Sequence, residues 1–167
     1  MSNCTRPLSI LRGVRAIILV ILAIAFLATA AYSVMSNGSV RGMATRITYA
    51  NRYCTTSPGT LVKTATFYIL ASVWSTSSLH TSISTVAFSL AVDGVNLGTS
   101  RPSDSSWDPG QYARFNMTFT DPQASPVALP ATSTMVLAMT AYASAGIAAS
   151  SVTASDQAIE TFGNTSC

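Results

Sequence analysis

The stretch from Ala16 to Met35 constrains this chain more than any other. An unbroken apolar run from Ala16 to Leu27 continues to Met35 with only Thr29, Tyr32 and Ser33 as weak polar interruptions. At about 1.5 Å per residue it makes a helix about 30 Å long, the hydrocarbon thickness of a bilayer. A helix at the surface of a water-soluble core carries a polar stripe, whereas this one is apolar all round. The sequence therefore places the protein in or across a membrane.

Charge around the run gives a direction. Arg6, Arg12 and Arg15 precede it with no acidic residue among them, which favours a cytoplasmic N-terminus and a C-terminal part delivered outside. Arg41, Arg46, Arg52 and Lys63 on the far side pull the other way, but no second long apolar run follows. The expected layout is a cytoplasmic segment at 1–15, a transmembrane helix or signal sequence at 16–36, and an extracytoplasmic domain at 37–167. Membrane lipid is then the expected partner, with self-association through the helix as a further expectation.

Three processing outcomes are open. The helix can stay as an uncleaved signal anchor. It can be the apolar centre of a secretory signal, with Ala28, Thr29 and Ala30 as a small-residue cleavage site and cleavage after Ala30. Finally, Arg12 and Gly13 directly before the run resemble the processing signal of archaeal type IV pilins, in which cleavage after the glycine leaves the helix on the mature subunit. That resemblance implies a filament subunit beginning at Val14 with a core of bundled helices; Ile18 stands where bacterial pilins carry a glutamate.

About 130 residues remain after the run, enough for one domain with its own core. Charged residues make up only 9% of the chain, the net charge is +3, and the basic residues are scattered singly, so no basic stripe exists to track phosphates and a nucleic-acid partner is not expected.

Alternation then dominates. Val86, Phe88, Leu90 and Val92 fall on one face of an extended segment while Ala87, Ser89 and Ala91 fall on the other. Asp93 and Gly94 follow as a turn tolerant of positive φ, after which Val95 and Leu97 are expected to resume the apolar face. Ala113, Phe115, Met117 and Phe119 alternate with Arg114, Asn116 and Thr118 after an Asp108, Pro109, Gly110 turn. Phe67, Ile69, Ala71 and Val73 oppose Thr66, Tyr68, Leu70 and Trp74, and Met135, Leu137, Met139 and Ala141 repeat the pattern. Weaker strands are expected at Met43 to Ala50 and at Ile147 to Ala154, and Pro122, Pro126 and Pro130 mark a connection that no helix or central strand could span. About seven strands with turns between them predict an all-β fold, an immunoglobulin-like antiparallel two-sheet sandwich preceded by one N-terminal transmembrane helix.

The segment from Thr64 to Phe119 also resembles the late-embryogenesis-abundant type 2 domain, known too as the water-stress and hypersensitive-response domain. The matching features are the strand Thr66 to Trp74, the polar turn Ser75 to His80, the strand Val86 to Val92, Asp93 with Gly94, Leu97 with Gly98, Pro109 with Gly110, and the strand Phe115 to Phe119. Ser75 to Ser78 stand in place of the family's Asn-Pro-Asn turn. The resemblance implies a tether of one N-terminal transmembrane helix, as in archaeal and plant members.

Chemistry-bearing patterns are sparse. There is no G-x-S-x-G elbow, no phosphate-binding loop, no G-x-G-x-x-G and no cysteine pair at metal spacing. His80, the sole histidine, could join one of many serines and Asp104 or Asp108 in a triad, yet a loop histidine is ordinarily a surface residue. Asp104, Asp108 and Asp121 are loop oxygens of the kind calcium takes, or simply solvated turn residues. No catalytic residue, cofactor, metal or small-molecule substrate is assigned, and the expectation is a protein that is not an enzyme.

Cys54 and Cys167 lie on the expected outer side, where disulfides persist. A bridge between them would close a loop of more than 100 residues and stabilise the fold by about 4 to 5 kcal/mol in the chain-entropy model. It is expected to tie the C-terminus near the membrane-proximal end; two unpaired thiols are the alternative. Sequons at Asn37, Asn116 and Asn164 are candidate glycosylation sites, and that at Asn3 would stay cytoplasmic. The reading that follows is a membrane-anchored extracytoplasmic β-sandwich with a structural or binding role at the cell surface, with a pilin-like filament subunit and a secreted protein as alternatives.

Overall fold

The computed structural model describes residues 7–56, 63–121 and 130–162. Helix α1 (Pro7–Arg41) is followed by strands β1 (Met43–Thr56), β2 (Lys63–Ser75), β3 (Thr81–Val92), β4 (Val95–Ser100), β5 (Ser105–Trp107), β6 (Tyr112–Thr120), β7 (Thr132–Ala145) and β8 (Ala148–Thr161). One sheet has the order β1-β2-β6 and the other β4-β3-β7-β8, with β5 also on β3. Every pairing is antiparallel. The described strands number eight rather than about seven, because the three-residue β5 is too short to carry a sequence pattern.

The period-2 pattern decides which face each strand buries. Phe67, Ile69, Ala71 and Val73 of β2 and Ala113, Phe115, Met117 and Phe119 of β6 turn inward from the smaller sheet. Val86, Phe88, Leu90 and Val92 of β3 and Met135, Leu137, Met139 and Ala141 of β7 meet them from the larger one. The two sheets touch through aromatic rings: Phe88 and Phe115 lie 5.3 Å apart between centroids. Phe67 and Phe162 meet edge to face at 5.9 Å. The turn after β3 has positive φ at both Asp93 and Gly94, the backbone that fits a two-residue hairpin to the strand twist. Here one expectation fails. Leu97 returns to the core, but Val95, paired with Val92 beside the turn, stays 38% exposed.

Helix α1 runs to Arg41, five residues past the expected boundary at 36. A single residue, Gly42, separates it from β1. The Gly42 N–H still donates to Gly38 O at 2.8 Å, and a Cβ there would meet both Gly38 O and Thr76 Oγ1 at 2.9 Å. Only glycine lets the helix end and the strand begin in so little chain.

The edges of the two sheets are joined by a side chain. A bulge in β1 between Ile47 and Tyr49 breaks its register with β2, and the Ile47 N–H is met by Asp156 Oδ2 of β8 at 2.7 Å. An inward-pointing carboxylate on an edge strand satisfies a backbone donor that would otherwise be free to recruit another chain.

Candidate functional site

Two regions of the molecule leave large apolar or aromatic side chains exposed. The first is the helix. Its 29 residues from Gly13 to Arg41 are long and apolar enough to cross a membrane, and the apolar side chains stand clear of the domain, Phe26 being 73% exposed. Docking begins only near the C-terminal end. Ser36, Ser39 and Val40 are buried. Ser39 O accepts from Ser75 Oγ at 2.7 Å, and the Ser39 and Ser77 hydroxyls are hydrogen-bonded. Gly146, in the β7–β8 turn, has φ +58°, and a Cβ on it would strike Ser36 Oγ at 2.6 Å and the Tyr32 hydroxyl at 2.7 Å.

The second region is the outer face of the three-stranded sheet. Strand pairing lines up its outward side chains in rows across β1, β2 and β6. Moving away from the helix these read Ala44, Trp74, Tyr112; then Arg46, Ser72, Arg114; then Tyr49, Leu70, Asn116; then Asn51, Tyr68, Thr118; then Tyr53, Thr66, Thr120. Five aromatic rings thus share one face. Tyr49, Tyr53, Tyr68 and Tyr112 are each about half exposed. Tyr53 and Tyr68 hold one another edge to face at 5.1 Å, and the Arg114 guanidinium lies 5.0 Å from the Tyr112 ring centre and donates to its hydroxyl. Among the described residues neither Arg46 nor Arg114 meets a carboxylate. A cleft of about 550 Å³ opens near the helix end of this face, lined by Thr48, Leu70, Ser72, Trp74, Tyr112 and Arg114 among others.

The sequence-selected residues scatter. His80 Nδ1 and Asp108 Oδ1 are 2.8 Å apart, both well exposed, and among the described residues no serine hydroxyl bonds to the imidazole, so the triad is not assembled. Asp104 instead accepts from the Thr85 N–H at 3.0 Å, where φ is +49°. No group of three metal-ligating side chains occurs among the described residues, so Asp104, Asp108 and Asp121 do not gather around one point.

Asn116 points outward in the middle of the aromatic face. Asn37 lies on α1 and its side-chain amide donates to Ser33 O at 3.0 Å. Gly13 and Ala30 are exposed positions of the same helix. Asn3, Asn164, Cys4 and Cys167 lie outside the described residues.

Cys54 is disulfide-bonded, but its position corrects an expectation. It stands eleven residues beyond the start of β1, at the end of the domain far from the helix rather than near it. Phe162 and Arg52 gather at that same far end. Arg52 is buried, its Nη1 donates to Pro130 O at 2.8 Å, and its guanidinium sits 4.7 Å from the Phe162 ring centre. Burial lowers its pKa while the charge of Asp93 raises it.

No family model matches the chain, and no curated protein matches its sequence. Solved structures do resemble it in shape. The structural-genomics target SoR45 is similar with a TM-score of 0.52 at 5% identity, over 74% of this chain and 89% of that one. The putative ApaA protein of Bordetella pertussis gives a TM-score of 0.45 at 10% identity, covering 75% and 99%. The sporulation control protein Spo0M of Bacillus subtilis gives 0.40 at 14%, covering 72% and 48%. At these identities the first likeness speaks to fold alone: two antiparallel sheets preceded here by one apolar helix.

Proposed function

We propose that this chain is a non-enzymatic, membrane-anchored protein whose β domain stands outside the cytoplasm in a structural or binding role at the cell surface. The observation that carries the reading is the division of α1. Its residues from Ala16 to Ala31 all stand exposed, with no other described residue hiding them from water, and the turns from Tyr32 onward dock on the domain. An apolar surface of that length and girth needs lipid or other helices around it. The cluster of Arg6, Arg12 and Arg15 ahead of the helix supports a cytoplasmic N-terminus. The domain itself is read as an immunoglobulin-like sandwich, supported by the segregation of the first, second and sixth strands from the third, fourth, seventh and eighth.

Extraction tests the anchor. The protein is expected to sediment with membranes and to resist high salt and carbonate; recovery of the full-length chain in the soluble fraction would refute it. A filament subunit is the second reading, favoured by the linker-free junction at Gly42, which makes helix and domain one stiff unit. Burying Arg15 in a helical bundle would carry a large desolvation cost unless paired, which ranks the tether first. The mature N-terminus separates the alternatives: Met1 or Ser2 marks the anchor, Val14 the filament subunit, and Ala31 a secreted protein. All three keep the docked turns from Tyr32 onward.

For the disulfide, Cys167 is the partner the fold favours. Phe162 packs at the Cys54 end of the domain, and the five following residues can reach up to about 17 Å. Cys4 instead precedes a helix about 52 Å long. Non-reducing peptide mapping should recover a Cys54–Cys167 peptide pair; a Cys4-linked peptide would refute the assignment.

A further inference from the structure

From the outer face of the three-stranded sheet we infer that this protein binds an acidic polysaccharide chain there, with the Trp74 and Tyr112 cleft as its principal subsite. This rests on the surface-binding reading above and names what is bound. Sugar rings present flat C–H faces edged by hydroxyls, and an acidic sugar adds a carboxylate. The face offers a counterpart to each. Rings of Tyr49, Tyr53, Tyr68, Trp74 and Tyr112 lie along a run of five rows, amides of Asn51 and Asn116 stand between them, and Arg46 and Arg114 share one row with no carboxylate to neutralise them among the described residues. Arginine is the side chain suited to bidentate carboxylate recognition.

Size argues for a linear ligand over a folded protein. Three strands about 4.8 Å apart and five rows of two-residue repeats make a face of about 500 Å², short of the roughly 800 Å² per partner of a standard protein interface. A single extended chain of sugars fits a strip of that width. The face is also partly preorganised, since Tyr53 holds Tyr68, Asn51 Nδ2 donates to the Tyr53 hydroxyl at 3.0 Å, and Arg114 is fixed on Tyr112. Side chains already held in place lose less entropy on binding.

The test is native affinity electrophoresis of the full-length protein in detergent micelles, through gels containing polygalacturonate or, as a neutral control, dextran. Polygalacturonate should retard the protein at about 0.15 M salt, where long-range attraction is screened, and dextran should retard it far less. Arg46→Gln and Arg114→Gln should each weaken retention about tenfold, the scale of one lost charge-assisted pair. Tyr68→Ser and Tyr112→Ser should weaken it severalfold. Two controls remove the same groups elsewhere: Arg101→Gln, exposed beyond β4, and Tyr142→Ser, exposed on the other sheet, should leave it unchanged.

Absence of retention overturns the proposal. So does an Arg101→Gln effect as large as that of Arg114→Gln, which would mean diffuse charge attraction, or indifference to the tyrosine variants. Intact mass showing a glycan on Asn116 overturns it too, because the face would already be occupied. Circular dichroism of each variant confirms that the sheets persist. Carbonate extraction reports the tether and gel retardation reports the face, so either reading can fail alone.

Discussion

The two sheets bury similar walls and expose very different ones. Inside, each contributes alternating aliphatic and aromatic side chains that meet at Phe88 and Phe115. Outside, the larger sheet shows mostly hydroxyls, Ser82, Ser84 and Ser89 of β3, Thr140 and Ser144 of β7, and Ser151, Thr153 and Ser155 of β8, with the aliphatic Val136 and Ile159 and, among the described residues, Tyr142 as its one ring. The smaller sheet exposes five rings, two arginines and two amides. Burial dictates the inner walls of any such fold and says nothing of the outer ones. A crowd of rings on one outer wall and mainly hydroxyls on the other is therefore the part of the sequence that burial does not dictate.

The largest effects should come from breaking the likeness of the inner walls. Phe88→Ala and Phe115→Ala should each cost about 3–5 kcal/mol in denaturant unfolding, and the double variant less than the sum because the rings touch. Strict additivity would show that the sheets are not packed through this pair. Next comes the seam at their edges: Asp156→Ala, which strands the Ile47 N–H, should cost about 1–3 kcal/mol, and a neutral result would mean the bulge is satisfied by water. In the opposite direction, Thr45 is buried in the inner wall with a hydroxyl that has no partner among the described residues. Thr45→Val should gain about 1 kcal/mol, and a loss would point to a hidden acceptor. Smallest of all, Ser89→Ala and Tyr142→Ser on the outer wall of the larger sheet should each stay within about 0.5 kcal/mol. A Ser89→Ala cost comparable to that of Phe88→Ala would reverse the facing of β3.

The inner faces could be read directly from the chain because alternation is local: each of Phe67, Phe88, Phe115 and Leu137 is placed by its neighbours two positions away. The aromatic platform could not. Tyr68 is visible as an outward residue, but Tyr53 and Tyr112 lie just outside the expected strands, and the three become one surface only when strands far apart in sequence are paired in register. Ile147 shows the limit of pattern reading where residues are small and weakly patterned. Expected at the start of a strand, it sits exposed in the turn before β8, since the neighbouring alanines and serines fit either face. The far-end position of Cys54 was hidden because the sequence does not say where β1 stops. The short β1 anticipated at Met43 to Ala50 is in fact 14 residues long.

The junction at Gly42 has a mechanical meaning. With no slack between helix and strand, the helix axis acts as a boom carrying the domain. Strand β1, 14 residues at about 3.3 Å each, reaches up to about 46 Å beyond the pivot. In the membrane-anchored reading proposed above, a helix tilt of about 20°, ordinary in bilayers, would sweep the far end of β1 sideways by up to about 16 Å. Spinning the helix about its own axis swings the tyrosine-bearing wall through the same angle. Copies anchored in this way would stand at one height, while the rotation of each helix sets the heading of its tyrosine-bearing wall.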